Sequence, residues 1–567
     1  MMQIIENIKQ ELARALSGAG IEVAAQELKL LHPKELSHGD YASGLALQYA
    51  KQAGVSPFAL AGKITASLGK IPGVARMEAV KPGFINFYLA PESVNGVLVQ
   101  AIGGSEDWGK NDSQKNKRVM VEYTDPNPFK EFHIGHLMSN AIGESIARLV
   151  EYEGAEVKRA NYQGDVGPHV AKAIWGIQKL GVNPHDAGAL GKAYALGSVE
   201  YATSEHMGLE NDGKSKKEMD EINTKIYDRS DSAINEIYDA GREASLAHFE
   251  EIYKMLGTKF DHYFFESETA PFGKKVVEEH PEIFEKSDGA IVYKGDEQKG
   301  LHTRVFINSR GLPTYETKEL GLAKKKHDAY SYDKSIVITG NEVNDYFRVL
   351  LDAMAKVYPD LAAKTVHISH GMMRLVSGKM SSRTGDVITG ESLITDLTEA
   401  AKARAAESRA DNPEVLAQQV AVAAIKYQVL RQASGRDIIF DRERALSMEG
   451  DSGPYLQYAH ARASQVVERA KSQGVALKIQ GDAEPNDLSR LITRFPEAVE
   501  VAAKELEPHL LVNFLIELAG AFNSWYAQVH ILDGTNEAPH KVAVTDTVRA
   551  TLKNGLWLLG IPAPEKM

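Results

Sequence analysis

The residues that most constrain the fold run from Val119 to Gly154, where a strand, a loop and a helix follow one another. Residues 118–124 have the pattern of a strand, and the D-P-N-P sequence at its end is incompatible with regular structure. Apolar residues then recur at helical spacing as far as Gly154, and Val157–Tyr162 predicts the next strand. The stretch therefore predicts one βαβ unit.

The sequence H-I-G-H stands at the point where the loop of this unit becomes the helix. His133 and His136 place two imidazoles at a helix N-terminus, which attracts phosphate, and Gly135 has no side chain to obstruct a ligand. A metal-binding pair and two helix-capping histidines are the alternatives. We predict that the ligand is a nucleoside triphosphate.

The bulk properties exclude several classes of protein. The chain has 567 residues, 43% of them hydrophobic, so we expect several domains, each with a core. It contains no cysteine, which excludes disulfides, thiolate catalysis and cysteine-based zinc sites. A net charge of −12 argues against a protein that coats nucleic acid through clustered basic residues, but not against a specific RNA site.

The sequence predicts neither a secretory signal nor a membrane span. Its N-terminus lacks the order of a secretory signal peptide, and it has no run of about 18 apolar residues that could span a bilayer. We therefore expect a cytoplasmic protein without a membrane partner.

Composition divides the chain into three regions. Residues 1–110 carry equal numbers of basic and acidic residues, with helical patterns at Ile4–Leu16 and Leu45–Leu68 and an alternating strand pattern at 83–89. A polar linker, G-K-N-D-S-Q-K-N-K-R, separates them from residues 111–390, which contain a polar helical insertion at about 183–255. Residues 391–567 are almost wholly helical.

Strand and helix patterns alternate again after the insertion. A strand at Ser335–Thr339, a helix near Asn344–Tyr358 and a strand at Thr365–Ser369 predict the second half of a doubly wound sheet. The glycine-bounded loop S-G-K-M-S-S-R-T-G follows the last of these strands. Lys379 and Arg383 in that loop suit a clamp on phosphate, with a solvated surface loop as the alternative.

H-I-G-H in the first unit together with K-M-S-S-R after the last strand resembles the class I aminoacyl-tRNA synthetases. Several longer stretches resemble the arginyl-tRNA synthetase family over nearly the whole chain: H-G-D-Y-A-S-G-L-A-L-Q-Y-A-K, V-E-Y-T-D-P-N-P-F-K-E-F-H-I-G-H, F-D-H-Y-F-F-E-S, Y-E-T-K-E-L and E-G-D-S-G-P-Y-L-Q-Y-A-H-A-R. The implied fold is α/β: a Rossmann-like doubly wound parallel-sheet catalytic domain, an α+β N-terminal domain and an all-α anticodon-binding domain.

The resemblance implies that arginine and ATP form arginyl-adenylate, and that the arginyl group is then transferred to tRNA(Arg). ATP is a substrate here, with Mg²⁺ bound to it rather than to the protein. Alignment and charge stabilisation would drive the reaction, without a covalent enzyme intermediate. The implied catalytic residues are His133, His136, Lys130, Lys379 and Arg383. The implied ATP contacts are Gly135, His370, Gly371, Met372 and Met380.

One departure from the family pattern concerns the charge near the phosphates. Class I enzymes usually have a second lysine in the K-M-S-K-S loop, where this chain has Ser382. Some arginyl enzymes that lack that lysine have one just before the H-I-G-H motif, and Lys130 occupies that place here. We therefore expect Lys130 to supply the missing transition-state charge.

A guanidinium ligand has five donors and no acceptor, so its site needs carboxylates. By resemblance, the arginine-binding residues are Glu122, Asn127, Glu266, Tyr315 and Glu319. Glu319 stands where the family usually has aspartate. Four further positions differ from the usual residues of the family: Val343, Tyr346, Val166 and His169.

The helical C-terminal region resembles an anticodon-binding domain, and aromatic side chains there can stack on unpaired RNA bases. The implied tRNA contacts are Tyr455, Tyr458, Tyr526 and Met567, with packing between helices as the alternative for the first two. The N-terminal region is expected to contact the outer corner of the tRNA, and a monomer is the family expectation.

Three other functions fit parts of the pattern. They are a class I synthetase for another amino acid, a non-catalytic tRNA-binding paralogue, and a small-molecule nucleotidyl transferase. The H-I-G-H and K-M-S-S-R motifs argue against the second, and the long helical C-terminal region has no role in the third.

Overall fold

The N-terminal region is a small α+β unit with its own core. The computed structural model describes residues 2–206, 213–376 and 389–567. The helices here are α1 (Met2–Ser17), α2 (Leu45–Tyr49), α3 (Pro57–Ser67) and α4 (Pro91–Gly104), and the strands are β1 (Tyr41–Ser43), β2 (Val74–Val80) and β3 (Phe84–Leu89). The three strands form an antiparallel sheet in the order β1-β3-β2. The predicted helical stretch 45–68 is two helices, because Ser56 caps a new helix that has Pro57 in its first turn.

The central region contains the predicted parallel sheet. Its strands are β4 (Arg118–Glu122), β5 (Glu156–Gln163), β6 (His262–Phe265), β7 (Glu285–Ser287), β8 (Ala290–Tyr293), β9 (Arg304–Ile307), β10 (Lys334–Gly340), β11 (Thr365–His370) and β12 (Met373–Leu375). Its helices are α5 (Ile134–Tyr152), α6 (Pro168–Leu180), α7 (Ala187–His206), α8 (Lys214–Asp228), α9 (Ser232–Leu256), α10 (Glu266–Glu279), α11 (Tyr315–Ala329), α12 (Asn344–Val357) and α13 (Pro359–Lys364).

Five parallel strands lie in the order β11-β10-β4-β5-β6. The chain leaves β4 towards β5 and β6 on one side and later returns to β10 and β11 on the other. The order therefore reverses between β4 and β10, and in such sheets ligands bind beyond the carboxyl ends of the strands at this switch point. The doubly wound fold is thus confirmed, and it fixes where the site lies.

An antiparallel sheet formed by β7, β8 and β9 was not predicted from the sequence. These strands have three or four residues each, and all three residues of β7 are exposed. Such short strands leave no alternation of apolar and polar residues for a sequence pattern to reveal.

The C-terminal region is built mainly from helices: α14 (Gly390–Ala406), α15 (Pro413–Leu430), α16 (Arg442–Ala445), α17 (Gly453–Ser472), α18 (Asp487–Ile492), α19 (Phe495–Glu505), α20 (Pro508–Gln528) and α21 (Ala538–Leu558). A single short strand, β13 (Ile438–Phe440), pairs with β12 of the central region. Among the described residues, no helix is both long and apolar enough to cross a membrane.

The H-G-D-Y turn of the N-terminal region contacts the C-terminal helices. Arg490 Nε of α18 donates to Asp40 Oδ1 at 2.7 Å, and the Tyr41 hydroxyl donates to Glu497 of α19. His32 Nε2 lies 3.2 Å from Glu497 Oε2. The turn therefore joins the first and last regions of the chain.

Lys426 is a fully buried lysine where the central and C-terminal regions meet. Its Nζ donates to the carbonyls of Leu256 at 2.6 Å and Gly560 at 2.8 Å. Burial lowers the pKa of Lys426 to about 7, from an ordinary value of 10.5. The folded protein therefore releases this proton near pH 7, whereas the unfolded chain keeps it up to about pH 10.5.

We expect Lys426 to make stability rise with pH between these two values, because the unfolded state binds more protons there. The slope is at most about 1.4 kcal/mol per pH unit. The Tm difference between the wild type and Lys426→Met should therefore shift in favour of the wild type from pH 7 to pH 9. The exposed Lys471→Met variant serves as the control. A Tm difference that is independent of pH would show that Lys426 keeps its ordinary pKa.

Candidate active site

A cleft of about 290 Å³ opens at the carboxyl ends of β4, β5, β6, β10 and β11, at the switch point of the sheet. Nine of the predicted site residues line it: Glu122, Asn127, His133, Gly135, His136, Glu266, Tyr315, Glu319 and His370. They come from segments far apart in the chain, and the parallel strands bring them to one edge.

Other predicted residues lie elsewhere or cannot be placed. Lys130, Gly371 and Met372 do not line the cleft, although the charge of Lys130 is close enough to His133 to lower the pKa of that histidine. Met372 is 49% exposed. Lys379, Met380 and Arg383 lie outside the described residues, as does Ser382.

The two histidines of H-I-G-H cap helix α5 reciprocally. His133 Nδ1 accepts from the His136 amide at 3.3 Å, and His136 Nδ1 accepts from the His133 amide at 3.2 Å. The rings stack with their centroids 3.4 Å apart. Because both Nδ1 atoms are acceptors, each neutral ring carries its proton on Nε2. The capping alternative and the phosphate-binding prediction are therefore compatible, since capping leaves one N–H donor on each ring.

Both histidines are held in the neutral form. Removal from solvent, followed by the charge of Lys130, lowers the pKa of His133 to about 4. Burial and then His133 lower the pKa of His136 well below its ordinary value. The pair therefore donates hydrogen bonds near neutral pH without carrying charge.

Local steric crowding explains why a glycine stands between the two histidines. A Cβ at Gly135 would lie 3.0 Å from both Cε1 and Nδ1 of His133. A larger residue would require the His133 ring to shift by a few tenths of an ångström, so the glycine favours the close packing of the pair.

Two of the cleft carboxylates are already neutralised by buried lysines of helix α11. Lys326 Nζ donates to Glu122 Oε2 at 2.5 Å, and Lys318 Nζ donates to Glu266 Oε2 at 2.5 Å. All four side chains are at most 6% exposed. Sequence reasoning did not identify either lysine, because their partners are distant in the chain.

The three other carboxylates in the cleft, Glu319, Asp125 and Glu342, have no cationic side chain within ion-pair distance among the described residues. Burial and then Glu122 raise the pKa of Glu319, and the same two causes raise the pKa of Asp125. Cationic groups of a ligand would relieve the repulsion that raises these pKa values.

Asp125 was treated as a turn residue in the sequence and was missed as a site residue. Its Oδ1 accepts from the Tyr162 amide at 2.7 Å. Thr124 and Asp125 have φ values of 80° and 46°, in the left-handed region that non-glycine residues seldom occupy. An acid directly after a parallel strand was the available signal. The turn directs its side chain into the cleft.

The departures from the family pattern fall in two places. Val343 and Tyr346 line the cleft, whereas Val166 is in a neighbouring hydrophobic core. His169 is buried, and its Nε2 lies 2.7 Å from the Gly164 carbonyl. A Cβ at Gly164 would lie 2.2 Å from Asn127 Oδ1. His169 therefore supports the turn on which Asn127 rests.

Three of the predicted tRNA contacts share one groove in the C-terminal region. Tyr458, Tyr526 and Met567 line it together with Arg462. The Arg462 guanidinium lies 4.6 Å from the Tyr458 ring centroid and 4.9 Å from that of Tyr526. Tyr455 does not line this groove and is half-buried against the hydrophobic core. The groove combines aromatic surface with positive charge.

A doubly wound parallel sheet with an H-I-G-H helix cap at its switch point defines the catalytic domain of a class I aminoacyl-tRNA synthetase. The family model described as tRNA synthetases class I (R), catalytic domain, matches residues 98–442. The arginyl tRNA synthetase N terminal domain model matches residues 2–89, and the DALR anticodon binding domain model matches residues 456–567. The chain belongs to the arginyl family of class I tRNA synthetases.

Individual relatives agree with this family over their full length. Arginine–tRNA ligase 1 of Bacillus cereus is 30% identical over 578 residues, which cover 99% of this chain and 100% of the relative. The structure of Thermus thermophilus arginyl-tRNA synthetase is 25% identical, covers 99% of each chain and has a TM-score of 0.75. The structure of the arginyl-tRNA synthetase of Plasmodium falciparum has a TM-score of 0.77, and the match covers 100% of this chain and 99% of that one. At 20% identity it supports the fold alone.

Proposed function

We propose that this chain ligates L-arginine to its cognate tRNA through an arginyl-adenylate, releasing AMP and pyrophosphate. The observation that carries the proposal is the charge of the cleft. Five carboxylates line the cleft: Glu122 and Glu266 are paired with Lys326 and Lys318, while Asp125, Glu319 and Glu342 have no cationic side chain within ion-pair distance among the described residues. Free arginine has two cationic groups, a guanidinium and an α-ammonium, and would balance two of these three charges, Asp125 and Glu319 being the two that the proposal assigns to it.

The adenylation step needs alignment and charge stabilisation. The arginine carboxylate attacks the α-phosphate of ATP, and pyrophosphate leaves with the bonding electrons. The Nε2–H groups of His133 and His136 donate to phosphate oxygens as negative charge develops on them. Lys130, Lys379 and Arg383 supply positive charge, and Mg²⁺ arrives bound to ATP. In the second step a terminal hydroxyl of the tRNA attacks the arginyl carbonyl, and AMP leaves.

Each end of arginine has its own set of residues in this proposal. Glu319, Glu266 and the Tyr315 hydroxyl receive the guanidinium. Asn127 and Glu122 hold the head group, and Asp125 adds the carboxylate that Glu122 cannot offer while it is bound to Lys326. A guanidinium suits this arrangement better than an ammonium, because its planar donors can reach two carboxylates at once.

The tRNA would span the three regions of the chain. Residues 1–110 would contact its outer corner, residues 111–390 its acceptor end, and residues 391–567 its anticodon. The groove at Tyr458 and Tyr526 supports anticodon binding, because Arg462 and the rings offer charge and stacking surface together. We propose that the enzyme acts as a cytoplasmic monomer.

An aminoacylation assay with total tRNA and each of the twenty amino acids tests the proposal. Charging with arginine alone is expected. Charging with another amino acid would indicate a synthetase of different specificity, and tRNA binding without any charging would indicate a non-catalytic paralogue. We also expect arginine-dependent pyrophosphate exchange to require tRNA. Equal exchange with and without tRNA would contradict this tRNA dependence.

We expect the kcat of pyrophosphate exchange at saturating arginine to be flat between pH 6 and pH 8. The pKa of His133 is about 4 and that of His136 is also strongly lowered, so neither ring titrates in this range. A pH profile measured with tRNA present checks this. A titration step near the ordinary histidine pKa of about 6.5 would contradict it.

A further inference from the structure

Lys130 lies three residues before His133, the first residue of the H-I-G-H motif, yet it has no carboxylate within ion-pair distance among the described residues. Its ammonium lies instead 5.1 Å from the ring centroid of Tyr194 in helix α7, in the polar helical insertion. An aromatic ring attracts a cation through its quadrupole and leaves the charge intact. A carboxylate would hold the lysine equally well but would cancel its field at the phosphates.

Helix α7 can approach Lys130 because small residues line its inner face. A Cβ at Gly191 would lie 2.8 Å from Glu131 Cγ, next to Lys130 in the chain. On the side of α6, a Cβ at Gly176 would lie 2.1 Å from the Ala193 carbonyl oxygen. The insertion is therefore packed tightly against α6 and against the segment just before the H-I-G-H motif, and Tyr194 is half-buried there.

The same arrangement recurs two helical turns further along α7. Tyr201 lies seven residues after Tyr194, which places the two rings on one face of the helix. Lys172 Nζ of α6 lies 4.1 Å from the Tyr201 ring centroid, and Lys216 Nζ of α8 lies 5.0 Å from it. These contacts hold α7 against its neighbouring helices but lie away from the cleft, so the Lys172–Tyr201 pair provides a comparison.

We propose that Tyr194 is a positioning residue for adenylate formation, whose ring holds the Lys130 ammonium near the phosphates without neutralising it. The inference rests on the proposed function. It makes the helical insertion a functional part of the active site, because the insertion supplies the ring that orients a catalytic lysine.

Pyrophosphate exchange by Tyr194→Leu and Tyr194→Phe tests the proposal. Leucine removes the ring, so kcat is expected to fall by about 2- to 30-fold, the range of cation–π interactions. The KM for arginine should stay unchanged, because Tyr194 is not assigned to arginine. Phenylalanine keeps the ring and should retain nearly the wild-type kcat. Tyr201→Leu removes the comparison pair and should also leave kcat near the wild-type value.

Combining these changes with Lys130→Met isolates the contact between the two residues. If Tyr194 acts through Lys130, Tyr194→Leu should have no further effect on kcat in the Lys130→Met background. An equal loss in the leucine and phenylalanine variants would overturn the proposal, as would a full effect of Tyr194→Leu without Lys130. A Lys130→Met variant with an unchanged kcat would also overturn it. If the wild type shows no arginine-dependent exchange, the proposed function itself fails.

Discussion

Replacing Glu319 with glutamine is expected to raise the KM for arginine by about 30-fold or more, because losing one member of a buried charged pair typically costs about 2–5 kcal/mol. Glu319 is an uncompensated carboxylate in the cleft, and the structure places no described cationic side chain within ion-pair distance of it. Steady-state pyrophosphate exchange with varied arginine measures the effect. The KM for ATP should change little, since the histidines at the other end of the cleft are untouched.

A pH signature separates this charge effect from a structural one. Burial and Glu122 raise the pKa of Glu319, so protonation begins at a higher pH than for an ordinary glutamate. Arginine needs the ionised form, and its KM in the wild type should therefore rise as pH falls through that raised pKa. The glutamine variant should lose the part of this dependence that Glu319 contributes.

Glu316 provides the matched control on the same helix. It is 7% exposed, its Oε1 lies 3.9 Å from Arg304 Nη1, and it does not line the cleft. Glu316→Gln therefore removes a buried carboxylate of α11 without touching the proposed guanidinium site. A similar rise in the KM for arginine in both variants would mean that α11 had been disturbed as a whole, and would remove the support for the assignment of Glu319.

Replacing His136 with asparagine is expected to lower the kcat of exchange by about 100- to 1,000-fold, the range for removal of one donor to a developing oxyanion. Asparagine can still accept from the His133 amide and so keep the helix cap. Its shorter side chain cannot place a donor where Nε2–H of His136 lies. The KM for arginine should remain within a few-fold of the wild-type value.

A buried histidine far from the cleft serves as the control for this change. His460 in α17 is fully buried, and its Nδ1 lies 2.9 Å from the Pro564 carbonyl. His460→Asn makes the same substitution in the C-terminal region and should leave the chemical step intact. If His136→Asn raises only the KM for ATP while kcat is unchanged, His136 binds the ground state and the transition state equally.

Much of the catalytic architecture was predictable because it depends on local patterns. The helix after H-I-G-H and the strands around it were predicted from spacing alone. The strand before H-I-G-H ends at Glu122, two residues earlier than predicted, because the backbone turns into positive φ at Thr124. That turn also brings Asp125 into the lining of the cleft, for which its position after a parallel strand was the one signal in the sequence. The β7–β9 sheet was missed for a similar reason, since its strands are too short to show a period.

The sequence by itself determined which motifs follow the parallel strands, the family, and the kinds of side chain that meet at the switch point. These depend on residues near one another in the chain or on signatures with fixed spacing. Only the tertiary structure decided which carboxylates of the cleft are neutralised. Glu122 is paired with Lys326 and Glu266 with Lys318, whereas Asp125 and Glu319 have no such partner. It also placed Tyr194 against Lys130. Charge pairing acts over a few ångströms between residues far apart in sequence, so it follows from the packing of helices on the sheet and has no local pattern.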